Sequence, residues 1–116
     1  MARKAKIDYD RENNILYVYS GEKVKDSLEV DNFVLDFSHD NKVVGVEIFD
    51  ASKIISELAL VKISKDVLSK AVDASINFYQ SRDIFFVVIG LVLVIGKKKK
   101  EISVQVPAPR IAVSVK

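Results

Sequence analysis

The chain has 116 residues, carries 18 basic and 16 acidic side chains for a net charge of +2, and contains no cysteine. Its length predicts a single domain over residues 1–116, which is large enough to bury a core without cross-links. The lack of cysteine excludes a disulfide framework, a thiol nucleophile and a cysteine-ligated metal, and it fits a cytoplasmic location. The balanced charge predicts no strong field towards nucleic acid. No apolar signal-peptide segment follows the first residues.

One apolar run, Ile84–Ile95 (IFFVVIGLVLVI), holds most of the excess hydrophobicity. As a helix it would be about 18 Å long, well short of a bilayer core of roughly 30 Å. The run is rich in Val, Ile and Phe, which favour strands. It therefore predicts a long strand buried on both faces, and no association with a membrane.

Alternation of apolar and polar residues predicts a hairpin near the start of the chain. Residues 7–10 and 15–19 form its strands, and the polar residues 11–14 form its turn. Residues 23–29 are polar and poorly periodic, so they are predicted as a connection that contains a short edge strand.

A second hairpin is predicted with its turn at Asp40 and Asn41, two residue types that tolerate positive φ. The resulting register keeps the large apolar side chains on one face, which a slip of one residue would destroy. It pairs Phe33 with Ile48, Leu35 with Val46 and Phe37 with Val44.

Two short helices follow, one over residues 53–60 and one capped by Ser64. The second half then returns to strands, with turns expected at residues 81–82 and 97–100. The predicted strands are residues 72–78, 84–95, 101–106 and 111–115.

These elements predict an α+β fold in a single compact domain. Two antiparallel β-meanders, over residues 7–52 and 72–116, are expected to be joined by the two short helices of residues 53–71.

The long strand has one face that its predicted neighbours leave over. Its odd-numbered residues share a side with the apolar residues of both flanking strands, so they form the core face. The even face is an apolar stripe with the small polar side chains of Ser75, Asn77, Ser103 and Gln105 at its sides. Such a stripe marks an interface, or it is covered within the chain by the other sheet or a helix. The candidate interface residues are Phe86, Val88, Val92 and Val94, next to Ile84.

Candidate chemistry is sparse. Asp36 and Glu47 lie on neighbouring strands and could serve a hydrolase as an acid–base pair. Three further carboxylates near the first turn could hold a cation, and His39 stands beside the second turn without a triad or metal site around it. These three carboxylates are Asp8, Asp10 and Glu12. No catalytic residue, metal or cofactor is therefore assigned.

Four consecutive lysines form the one strong charge run: Lys97, Lys98, Lys99 and Lys100. They could contact phosphate or nucleic acid. No aromatic residue is interleaved for base stacking, so a solubilising role beside a very apolar strand is the favoured interpretation.

The first half also carries a family resemblance. Its motifs are Tyr9-Asp10-Arg11-Glu12, Leu16-Tyr17-Val18, Val34-Leu35-Asp36-Phe37, Val43-Val44-Gly45-Val46-Glu47-Ile48 and Asp50-Ala51-Ser52. Residues 7–52 thereby resemble a family of small bacterial and archaeal domains of unknown function, with the pattern Y-D-x-E, L-Y-I, V-x-x-D, V-V-G-I-E-I and D/N-A-S. The resemblance implies a compact β-meander followed by a helix, and no established activity. Some members lie beside small toxin-like proteins, which implies a partner-binding or antitoxin-like role.

We therefore expect a non-enzymatic protein that forms a homodimer through the even face of the long strand. In the alternative, that face binds another protein, as in an antitoxin-like module. A hydrolase that uses Asp36 and Glu47 is the third hypothesis.

Overall fold

The computed structural model describes residues 3–81 and 84–106, which form eight strands and two helices. The strands are β1 (Arg3–Asp10), β2 (Ile15–Tyr19), β3 (Asp26–Val30), β4 (Phe33–Phe37), β5 (Val43–Phe49), β6 (Asp73–Ser81), β7 (Ile84–Ile95) and β8 (Lys98–Val106). The helices are α1 (Ala51–Ala59) and α2 (Lys65–Ser69). The predicted strand over residues 111–115 lies outside the described residues, so the single-domain organisation of residues 1–116 stays a prediction.

All eight strands belong to one antiparallel sheet, in the order β3-β4-β5-β2-β1-β6-β7-β8. Strand β1 joins the two halves, because Arg3 to Ala5 pair with β6 while residues 6–10 pair with β2. The predicted α+β fold with two separate meanders is therefore wrong. Helices of nine and five residues accompany a single sheet, and the protein is mostly β. Hydrophobic periodicity identifies strands but does not report which distant strands pair, so this junction escaped prediction.

Both halves of the sheet contribute to one hydrophobic core. Helix α1 contacts β5 and β8, and α2 contacts β7, so the helices pack between the two halves. Ile55 of α1 and Leu68 of α2 are buried there. Burial of the apolar side chains on one face of each half is the main stabilising contribution to such a fold.

The β4–β5 hairpin confirms two of the three predicted pairs, Phe33 with Ile48 and Leu35 with Val46. The third is wrong, because Phe37 pairs with Val43 after an irregularity between Asp36 and Phe37. The loop is longer than two residues: the Ser38 amide donates to the Lys42 carbonyl over 2.9 Å, and Asn41 adopts a φ of 61°. The extra residue is accommodated as a bulge in the ladder.

Strand β7 has the bounds predicted for the long strand. Its turn into β8 lies at Gly96 and Lys97, where Gly96 has a φ of 67°, so the predicted turn over residues 97–100 is too long. Glycine at the first loop position suits a two-residue hairpin turn, because it carries no Cβ to clash at positive φ. The observed register of β7 with β8 differs from the predicted one by an even number of residues, and Leu91 pairs with Ile102. The two faces of β7 are therefore as predicted.

The helices agree with prediction apart from their ends. Helix α1 begins two residues earlier than predicted, after Asp50 in the left-handed region, and ends at Leu60 with a φ of 58°. The Ser64 side chain caps α2 by accepting a hydrogen bond from the Val67 amide over 3.2 Å. Within the described ranges, no helix has the length and apolar character needed to cross a membrane.

Two valines of the first half test the assignment of its faces. Val46 of β5 is fully buried, whereas Val34 of β4 is half-buried on the opposite face. We expect Val46→Ala to cost about 2 kcal/mol or more in unfolding free energy, because two buried methyl groups and their packing are lost. Val34→Ala should cost less than about 1 kcal/mol. Urea unfolding of both variants measures the difference, and equal losses would contradict the assignment.

Candidate functional site

The even face of β7 is an apolar surface that the described residues leave partly uncovered. We call Phe86, Val88, Gly90, Val92 and Val94 the outer stripe, and all five are half-buried. The odd-numbered residues 87–93 on the other face are fully buried in the core. The described part of the chain therefore covers one face of β7 completely and the other only in part.

Strands β6 and β8 flank the outer stripe with polar side chains on the same face, and we call these side chains the rim. The predicted neighbours are there, because Val88 lies between Asn77 and Gln105, and Gly90 between Ser75 and Ser103. The ladder also places charged residues that the sequence analysis did not assign to this face. Asp73 and Glu101 flank Val92, and Lys99 lies beside Val94.

The rim is aromatic at one end. Tyr79 pairs with Phe86 across β6 and β7, and their rings stack with centroids 5.0 Å apart. Tyr79 is 43% exposed, so the stack presents a flat apolar surface to solvent at this end of the outer stripe.

A shallow depression of about 200 Å³ lies at the centre of the outer stripe. Lys4, Asp73, Ser75 and Glu101 line it together with Gly90. A Cβ atom at Gly90 would stand 2.5 Å from the Ser75 hydroxyl oxygen, so a larger residue there would displace that side chain. Pairing with β6 and β8 continues in register through Gly90, which identifies it as a close-packing position.

The other half of the sheet carries a polar network on its outer face. Asp36 is 9% exposed, and its two carboxylate oxygens accept hydrogen bonds from Tyr17 Oη over 2.5 Å and Ser27 Oγ over 2.7 Å. A Cβ atom at Gly45 would lie 2.7 Å from Asp36 Oδ2, so the glycine makes room for this carboxylate. The stacked Tyr19 ring covers Tyr17, with centroids 4.6 Å apart. Hydrogen bonding to a buried carboxylate explains why these residue types occur together.

Asp36 and Glu47 are not directly paired: Asp36 faces Gly45, while Glu47 lies between Tyr17 and Val34. The phenol of Tyr17 is the group that this arrangement perturbs most clearly. Its burial, its hydrogen bond to Asp36 and the two nearby carboxylates raise its pKa well above the usual 10.0. Both Asp36 oxygens already accept protein donors, so this carboxylate serves as an acceptor that orders the strands.

A second polar network joins the first turn to helix α1. Asn14 is buried and adopts a φ of 57°. Its Oδ1 accepts from Tyr9 Oη over 2.7 Å and from the Ser52 amide over 3.1 Å, and its Nδ2 donates to Ser52 Oγ over 3.0 Å. The Ala51 amide donates to the Asn14 carbonyl over 2.9 Å. Asn14 thereby accepts hydrogen bonds from the first two backbone amides of α1, which have no carbonyl partner within the helix. Asp50 makes no side-chain cap there.

Asn14 was not predicted as a structural residue, because an asparagine in a polar turn is usually solvated. The signal that could have found it is the closing D-A-S motif, whose Ser52 and Ala51 amides need an acceptor at the helix start.

The remaining candidates do not converge on a site. Asp10 accepts two hydrogen bonds from Asn13, which lower the pKa of its carboxyl group. Asp8 and Glu12 are exposed nearby, and within residues 3–81 and 84–106 no three acidic or histidine side chains are placed to hold a metal ion. His39 is exposed at its turn.

The four lysines do not form one compact tip. Lys97 lies in the turn, whereas the other three continue into β8 and point alternately to its two sides. Lys99 lies on the side of the outer stripe, and Lys98 and Lys100 lie on the side of Leu93. All four are exposed, and three of them lie on β8, the last strand of the sheet among the described residues, where lysine discourages pairing with another chain.

Removal of the Asn14 side chain tests the second network. Asn14→Ala removes a buried side chain and leaves the half-buried Tyr9 hydroxyl and Ser52 amide without their acceptor, so we expect a loss of about 2–4 kcal/mol in unfolding free energy. The control is Asn13→Ala, which removes only the exposed side-chain hydrogen bond to Asp10, keeps the one from the backbone amide, and should cost about 1 kcal/mol or less. Urea unfolding compares them, and equal losses would show that the network does not stabilise the helix start.

Alkaline titration tests the first network. The folded-state pKa of Tyr17 is raised, so its contribution to stability is complete below pH 10 and falls as the pH rises above that value. We expect the absorbance difference between wild type and Tyr17→Phe to show no tyrosinate from Tyr17 at pH 10, because the folded chain keeps this proton. Ionisation of half of the Tyr17 phenols at pH 10 would contradict the burial and hydrogen bonding described above.

The polar network around Asp36 and the polar network around Asn14 both lie in the segment that matches known proteins. A family model matches residues 6–52, which confirms the resemblance to a family of unknown function. An uncharacterised protein of Methanocaldococcus jannaschii is 48% identical over 54 residues, which cover 46% of this chain and 47% of the relative.

A second relative, from Methanosarcina mazei, is described as a putative hypoxanthine phosphoribosyltransferase. It is 40% identical over 48 residues, which cover 40% of this chain and 39% of the relative. The chain thus matches less than half the length of either relative, and no solved structure matches it. The segment that matches the family described as "Protein of unknown function (DUF2283)" runs from residue 6 within β1 through β5 to the first residues of α1.

Proposed function

We propose that this protein is a non-enzymatic interaction module that associates with a second copy of itself through the outer stripe. The supporting observation is that Phe86, Val88, Val92 and Val94 stay half-buried while the opposite face of the same strand is fully buried. Completing the burial of four such side chains contributes on the order of several kcal/mol before the costs of association. A polar rim around an apolar centre is the usual composition of a protein interface.

The charge of the rim favours a second copy as the occupant. Asp73 and Glu101 are balanced by Lys4 and Lys99 on the same face. A balanced surface does not repel its own copy, whereas a strongly charged one would. The neutral amides and hydroxyls of the rim can act as both donors and acceptors, which suits contact between identical surfaces.

A different protein could use the same apolar face, as the antitoxin-like alternative requires. The rim has no excess of positive or negative charge that would favour a different protein of opposite charge. The self-association proposal is therefore the one to test first, and capture by an unrelated partner would leave the purified chain monomeric.

Light scattering coupled to gel filtration tests the proposal on the full chain, over micromolar to millimolar concentrations. We expect the wild type to have the mass of a dimer. Val88→Lys places a charge in the centre of the outer stripe, and it should yield a monomer with an unchanged circular dichroism spectrum. The matched control is Val34→Lys, which changes a half-buried valine on the outer face of the other half and should stay dimeric.

A wild-type monomer at all these concentrations would overturn the proposal. A Val88→Lys variant that is folded and still dimeric would also overturn it, because the copies would then meet elsewhere, such as along the β8 edge.

A further inference from the structure

The side chains along the outer stripe and its rim change in chemical type from one end of β7 to the other. The rows across β6, β7 and β8 run from aromatic (Tyr79 and Phe86) through amide (Asn77 and Gln105 at Val88) to small hydroxyl (Ser75 and Ser103 at Gly90). The acidic row (Asp73 and Glu101 at Val92) follows, and then the basic position (Lys99 at Val94).

We propose that two copies pack face to face about a two-fold axis that passes through Gly90, with β7 antiparallel to β7 of the second copy. This arrangement rests on the proposed self-association and specifies its geometry. The axis lies in the interface and runs across the strands, so β6 faces β6 and β8 faces β8. Row by row, the small hydroxyl row then meets itself, and the acidic row meets the amide row.

The pairing of acidic and amide rows makes the surface self-complementary. Glu101 lies opposite Gln105 of the second copy, and Asp73 lies opposite Asn77 of the second copy, so carboxylates face groups that can donate hydrogen bonds. The symmetry makes each contact twice. At the ends, Val94 faces Phe86 of the second copy and brings Lys99 within reach of its aromatic ring.

The central row permits the closest approach. Gly90 has no side chain, and the flanking Ser75 and Ser103 are small, so the two sheets can come together there. Packed sheets cross at roughly 30°, and the rows nearest the crossing point overlie best. These are the amide and acidic rows on either side of Gly90. Lys4 meets its own copy, but it lies two strands away at the margin, beside Asp73.

Two other symmetric arrangements place like charges together. An axis along β7 would set β6 against β8 of the second copy, and Asp73 would then face Glu101 of the second copy. An antiparallel arrangement centred on Val92 would set each of these carboxylates against its own copy. Like charges directly opposed across an interface are destabilising, so the charge pattern favours the axis at Gly90 over these two arrangements.

Substitutions of opposite charge at the exposed Gln105 give a specific test, because general destabilisation of the interface would weaken the dimer in both variants. Gln105→Lys places a cation opposite Glu101 of the second copy, and we expect the dimer dissociation constant to fall about tenfold. Gln105→Glu places a carboxylate there, and the constant should rise about tenfold. Both effects should shrink in high salt. Sedimentation equilibrium measures the constants, with Val34→Lys and Val34→Glu as controls that should leave them unchanged.

Single cysteines provide a second measurement, because the native chain has none. Ser103→Cys alone should be cross-linked efficiently by a bismaleimide that spans about 10 Å, the spacing of packed sheets, since position 103 meets itself across the axis. Glu101→Cys and Gln105→Cys should cross-link in an equimolar mixture of the two variants more than either does alone.

The outcomes separate the two proposals. A wild-type chain that is monomeric overturns the self-association itself. A dimer that Val88→Lys dissociates, but that responds equally to Gln105→Lys and Gln105→Glu, overturns only the arrangement about Gly90. Efficient cross-linking between Ser75→Cys and Ser103→Cys chains, and not within Ser103→Cys chains, would identify the axis along β7 instead.

Discussion

Backbone pairing along β1 is the constraint on which the rest of the structure depends. This strand pairs with β6 through its first residues and with β2 through the remainder, so one ladder turns two hairpin systems into a single sheet. Every strand needs partners for its peptide groups, and the short segment Arg3 to Ala5 supplies them for β6. The shared core follows, because both halves then direct their apolar faces towards the same two helices.

The outer face of the first half of the sheet is polar at its centre, whereas that of the second half is apolar. The first half stabilises its outer face with a buried carboxylate and its two hydroxyl donors, around Asp36 and Gly45. The second half has no comparable network among the described residues of the outer stripe, and its long strand is apolar on both sides. Polar satisfaction completes the first face within the chain, whereas the described residues leave the second face half-buried.

The strands, the helices and the facing of β7 could be predicted from the sequence, because side-chain alternation reports them directly. The facing of β7 was correct despite the wrong register with β8, since the predicted pairing was displaced by an even number of residues. The overall topology could not be predicted. Polar Arg3 and Lys4 show no alternation, and their strand is defined only by its partner. The positions of Asp73 and Glu101 were missed because they depend on the registers of β6 and β8 against β7.

The hydrogen bonds of Asn14 also act on the matched segment as a unit. They tie the first turn to the beginning of α1, so side chains within residues 6–52 hold the two ends of that segment together. Arg3 to Ala5, which pair with β6, precede the segment, so the second half of the sheet attaches to the first outside it.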